Sequence, residues 1–141
     1  GREKEDPPPR TAPQNPATMT TPADVEYFLD HFNHRMDLHG VRFIERRKNR
    51  KALFDLELVG LEDHRVRYLR ELTANLYSEG PLKDDRFGVG PYWVFGKKVR
   101  GVEVYVKISV GDENGPVCIS FHKAERPMHK PFIQFRCRSR G

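Results

Sequence analysis

Apolar residues recur along this chain with two different periods, and the change of period divides it. From Val25 to Met36 the spacing is helical, with Val25, Phe28, Leu29, Phe32 and Met36 on one face. Thr21 is a good N-cap, Pro22 suits the first helical position, and Asp24 sits three residues after the cap. Gly40 is a natural stop. These signals predict a helix over about residues 22–38. "VRFIE" (41–45) alternates in part and reads as a short strand. "RRKNRKALFDLEL" (46–58) reads as a basic approach into a short helix. "LEDHRVRYLRELT" (61–73) reads as another, with Leu61, Val66, Leu69 and Leu72 as its stripe.

After a Gly- and Pro-rich polar stretch at 75–91, read as a loop, the period becomes two. "YWVFGKKV" (92–99), "VEVYVKISV" (102–110) and "PVCISFH" (116–122) read as strands, with turns near Arg100-Gly101 and at "GDENGP". The expected fold class is α+β, with N-terminal helices packed on a C-terminal antiparallel sheet. Residues 1–20 are Pro-rich and polar and read as a disordered leader, with Met19 a candidate natural start. Residues 21–135 read as a single α+β domain, and residues 136–141 as a basic tail.

The second and third strands place side chains by register. In 102–110 the valines and Ile108 share one face, and Glu103, Tyr105, Lys107 and Ser109 share the other. In 116–122 Val117, Ile119 and Phe121 alternate with Cys118, Ser120 and His122. A regular hairpin sets Val110 opposite Val117. Counting outward then puts Tyr105 opposite His122 and Lys107 opposite Ser120. Tyr105, Lys107 and His122 so gathered can cleave a phosphodiester without a metal. Lys107 can stabilise the charge of a pentavalent phosphorane. His122 can move a proton near neutral pH. Tyr105 can orient the phosphate, stack on a base, or act as an acid if its pKa is lowered. In RNA the neighbouring 2′-hydroxyl would attack. An ordinary exposed sheet face is the other reading of the same pattern.

Charge adds a direction. The chain carries 25 Lys and Arg against 20 Asp and Glu, a modest excess that favours partners bearing phosphate or carboxylate. Within "RFIERRKNRK" (42–51) six residues are basic and one is acidic. Arg46, Arg47 and Lys48, with Lys97 and Lys123, are the candidates for holding an RNA backbone. A solvated helix face explains the run equally well. Phe87, Tyr92, Trp93 and Phe95 suit core packing, with one of them a candidate base-stacking platform. Two cysteines without a CxxC pair fit a reducing cytoplasm. No apolar run is long enough to span a bilayer. Cys118, His122 and Cys137 make a poor zinc set, and no metal or cofactor is expected.

"GVEVYVKISVGDENGPVCISFHKAE" resembles the C-terminal hairpin of the MqsR family of toxins, mRNA endonucleases of bacterial toxin–antitoxin systems with a RelE-like fold. "FIERRKNRKALFDLELVGLEDHRVRYLRELTANLYSEGP" resembles the family's middle, and "YWVFGKKV" the strand bearing its tryptophan, so the likeness covers about residues 42–123. The resemblance implies that Tyr105 is the catalytic tyrosine and Lys107 its neighbouring lysine. Three positions differ: a family lysine falls on His122, another on Ser78, and a glutamine on Val94. It further implies an mRNA substrate, a cognate antitoxin as partner, and action without metal. A non-catalytic RNA-binding or protein-interaction domain using the same face is the alternative.

Overall fold

The first helix, α1 (Pro22–His39), starts where its capping box places it. The Thr21 hydroxyl accepts from the Asp24 N–H at 3.2 Å, and the Asp24 carboxylate accepts from the Thr21 N–H at 2.9 Å. The structure, a computed structural model, describes residues 19–83 and 86–136. Residues 1–18 of the expected leader and 137–141 of the expected tail therefore lie outside the described residues. Thr20, assigned to the leader, is tied to the domain instead: its hydroxyl donates to the Gly80 carbonyl at 3.0 Å.

After α1 come β1 (Arg42–Phe43), α2 (Arg47–Asp55), α3 (His64–Arg70) and a 3-10 turn (Ala74–Leu76). Four strands follow: β2 (Tyr77–Leu82), β3 (Tyr92–Val99), β4 (Val102–Asp112) and β5 (Gly115–Lys123). They form one sheet in the order β1-β5-β4-β3-β2. The fold is α+β with the helices before most of the sheet, as the periods predict. Two features depart from the expected antiparallel meander. The sheet is mixed, because β1 runs parallel to β5 with Arg42 opposite Val117 and Phe43 opposite Cys118. The stretch expected to be a loop contains β2. Its period is hidden because register slips between Tyr77 and Glu79 and again before Leu82, and because Gly80 and Pro81 lie within it.

Helix α2 also begins inside the basic run rather than after it. Arg47, Lys48, Arg50 and Lys51 all lie on its turns, while Asn49 and Ala52 are buried beneath. The main core lies between the helices and one face of the sheet. Val25, Phe28, Leu29, Phe32 and Met36 of α1 meet Val104, Val106 and Ile108 of β4 and Phe95 and Val99 of β3. Phe28 stacks on Trp93 at 4.5 Å between ring centroids. Each such side chain buried contributes about 1.5–3 kcal/mol. Among the described residues no helix is long and apolar enough to cross a membrane.

The hairpin β4–β5 decides what the other face carries. Tyr105 lies opposite His122 and Lys107 opposite Ser120, as counted, but Val117 lies opposite Ser109 rather than Val110. The ladder slips twice, once between Ser109 and Asp112 near the turn and once at Ile119. The two slips have opposite senses and cancel beyond Ser120. Near the turn Gly111 has φ of 75°, and a Cβ there would meet the Gly115 carbonyl oxygen at 1.8 Å, so only glycine fits. The slips also overturn the expected faces of Val117, Cys118 and Ile119, while Phe121, beyond them, keeps its own. Cys118 and Phe121 join the main core, whereas Val117 and Ile119 pack with Val89 in a second small cluster edged by Ile44, Phe87 and Tyr92.

Candidate functional site

The face of the sheet turned away from the main core holds the expected constellation. Tyr105 and His122, directly opposite on β4 and β5, stack with ring centroids 5.4 Å apart and planes 16° from parallel. Lys107 stands two residues along β4, its ammonium 4.5 Å from the centroid of the Tyr92 ring. Neighbouring β3 presents only Val94 opposite Lys107 and Gly96 opposite Tyr105. This low floor opens a cleft of about 400 Å³ over β4. Gly96 also leaves room there for side chains of a later segment. The chain after β5 crosses this face, and a Cβ on Gly96 would meet Lys130 Cε at 2.7 Å and Met128 Sδ at 3.0 Å. Lys130 is anchored by an ion pair to Glu103 at 2.7 Å, with both side chains mostly buried.

Two cations of the basic run reach the cleft. Arg46, the N-cap of α2, donates to the Ser120 hydroxyl at 2.8 Å, which fixes the guanidinium beside His122. Lys48 lines the same wall and pairs with Glu125 at 2.8 Å. Arg47 is exposed and does not line the cleft. Lys123 is exposed and lies beyond His122, in an adjoining groove. Lys97 is on the wrong face: it shares the face of Phe95 and Val99, which belong to the core, and its ammonium pairs with Glu71 at 3.0 Å. A Lys97→Gln variant should bind and cleave RNA within about twofold of the parent and lose no more than about 1 kcal/mol of stability. Anisotropy with labelled RNA and thermal denaturation check this.

Residues that periodicity did not single out complete the cleft. Ser78 and Glu79 line it from β2, hidden in a stretch read as loop, and Arg126 and His129 line it from the crossing segment. Periodicity carries no signal for any of them. All three positions that differ from the resembled family fall here, since His122 and Ser78 line the cleft and Val94 lies opposite Lys107.

The surroundings set the protonation states. Burial pushes the His122 imidazole below its ordinary value, and Lys48 and Arg46 push the same way; the Lys123 carbonyl and Glu125 oppose them. His122 Nδ1 lies 3.0 Å from the Lys123 carbonyl oxygen, which can only accept. Nδ1 therefore carries the proton of the neutral ring, and Nε2 is left with its lone pair. Burial pushes the Tyr105 phenol up, helped by the negative charge of Glu79 and by Tyr92 and opposed by Arg46. Of the roles open to Tyr105, a readily ionised phenol is therefore not one: it keeps its proton at neutral pH and remains an O–H donor. Cys118 is inert, its thiol pushed up to about 12 by complete burial. Among the described residues no three His, Cys, Asp or Glu side chains gather in a way that could hold a metal ion. No family model, no curated protein and no solved structure matches the chain.

Proposed function

We propose that this protein is a metal-independent endoribonuclease that cleaves mRNA in the cytoplasm, the MqsR-like toxin of a toxin–antitoxin pair. The observation that carries the reading is the neutral His122, with Nε2 as its acceptor nitrogen, stacked on a protonated Tyr105 in a cleft bordered by Lys107, Arg46 and Lys48. Nε2 takes the proton of a ribose 2′-hydroxyl as that oxygen attacks the adjacent phosphorus. Lys107 and Arg46 balance the charge that accumulates on the non-bridging oxygens. The bond from phosphorus to the 5′-oxygen breaks, and Tyr105 hands its proton to the departing oxygen. The products are a 2′,3′-cyclic phosphate and a 5′-hydroxyl. Solvent then returns the proton from imidazolium to phenolate. The cognate antitoxin would neutralise the protein by covering this cleft or by holding it away from RNA.

Incubation of purified protein with a defined RNA in EDTA tests the proposal. It should yield fragments ending in a cyclic phosphate. Binding that leaves the RNA intact would instead establish a non-catalytic RNA-binding domain. The pH profile follows from the two shifted groups. The base must be neutral, so activity rises as pH climbs through the His122 pKa and is largely developed by neutral pH, because that pKa lies below the usual value of about 6.5. The phenol must be protonated, so activity declines only above its usual value of about 10. A single-turnover rate that peaks sharply near pH 7 would contradict both assignments.

A further inference from the structure

The cleft does not end at His122. It runs into a groove of about 330 Å³ that shares Lys48, His122, Ala124 and Glu125 with it. Lys51 and Asp55 of α2 and Lys123 at the end of β5 complete this groove. Helix geometry explains the wall: Lys48, Lys51 and Asp55 are three and then four residues apart, which puts them on one face. Asn49 and Ala52 are buried against the sheet, so α2 is held with its lysines along the groove. Lys48 pairs with Glu125 at 2.8 Å and Lys51 with Asp55 at 2.9 Å. Both lysines are well exposed, and pairs of this kind are worth about 0–1 kcal/mol, so a phosphate can take over either ammonium at small cost.

We infer that this groove is a second phosphate subsite, which holds the backbone of an extended single-stranded RNA beside the phosphodiester in the cleft. The inference rests on the reading that the cleft takes a phosphodiester. Three flexible lysines at the mouth of a recess fit a flexible strand whose phosphates are taken one at a time. They do not read bases, so the groove adds affinity without sequence preference. The nuclease would then favour substrates several nucleotides long over a dinucleotide.

Binding of a fully 2′-O-methylated RNA hexamer, which cannot be cleaved, tests this apart from catalysis. Anisotropy at several salt concentrations compares the parent with a Lys51→Gln/Lys123→Gln variant. Each lost single-strand contact lowers the salt slope by about 0.7, so the double variant should fall by about 1.4 and bind on the order of tenfold more weakly at low salt. An Arg70→Gln/Arg100→Gln variant removes the same charge elsewhere, from residues paired with Asp37 and Glu57, and should bind as the parent does. Equal affinity and slope for parent and Lys51/Lys123 variant overturn the subsite. Equal losses in both double variants also overturn it, since general charge would then suffice. Intact RNA in the cleavage assay would sink the nuclease reading while leaving this result to stand or fall alone.

Discussion

A His122→Ala variant should cleave a defined RNA about 10²- to 10⁴-fold more slowly than the parent, with its melting temperature almost unchanged. The size of the loss follows from the role. Removing a general base leaves Lys107 and Arg46 to stabilise the phosphorane, so residual cleavage persists. The small effect on stability follows from position, because His122 stands outside both apolar clusters and faces the cleft. A His122→Lys variant sharpens the test, since the resembled family carries lysine there. An ammonium brings a charge but is no base at neutral pH, so it should not restore activity there. Partial rescue of His122→Ala by added imidazole would identify the missing group as a proton acceptor. Cleavage by His122→Ala at the parental rate would remove His122 from the mechanism.

The strands that carry this histidine were legible because two errors in a simple count cancel. A regular hairpin with Val110 opposite Val117 is not what forms, yet it yields the right partners for Tyr105 and Lys107. The slips near Gly111 and at Ile119 lie between the turn and the site and oppose each other. A period of two sees neither slip, so it misassigned Val117, Ile119 and Cys118 while placing Tyr105, Lys107 and His122 correctly. Helix α1 was legible because capping and periodicity agreed. Strand β2 was not, because Ser78 bulges and Gly80 and Pro81 mimic a loop. Glu79 was lost with it. Lys97 is hidden for a different reason: charge alone groups it with the basic run, and only the parity of β3 tells that it shares the face of Phe95 and Val99.

An Asn49→Ala variant should lose about 3 kcal/mol of stability, because one buried amide serves three backbone groups. Asn49 is 2% exposed. Its amide nitrogen donates to the Ile44 carbonyl at 2.9 Å and the Ile119 carbonyl at 3.0 Å, and its oxygen accepts from the Phe121 N–H at 2.9 Å. Those are the groups that the bulge at Ile119 and the end of β1 leave outside the ladder. Each costs about 1–3 kcal/mol if stranded in the interior. Arg46 touches the Ile119 carbonyl only at 3.4 Å and cannot replace the amide. For a domain of this size the loss corresponds to a melting temperature lower by about 10 °C. Function should suffer further, because the bulge sets where Ser120 and His122 stand, and Ser120 in turn anchors Arg46. At a temperature where the variant remains folded by circular dichroism, its cleavage rate should still fall below the parent's. Asn49→Asp keeps the acceptor for Phe121 but removes both donors and buries a charge, so it should be no more stable than Asn49→Ala. A variant that melts within about 1 kcal/mol of the parent would show that the ladder holds the bulge unaided. The register of the site would then belong to the hairpin alone and not to the helix packed on it.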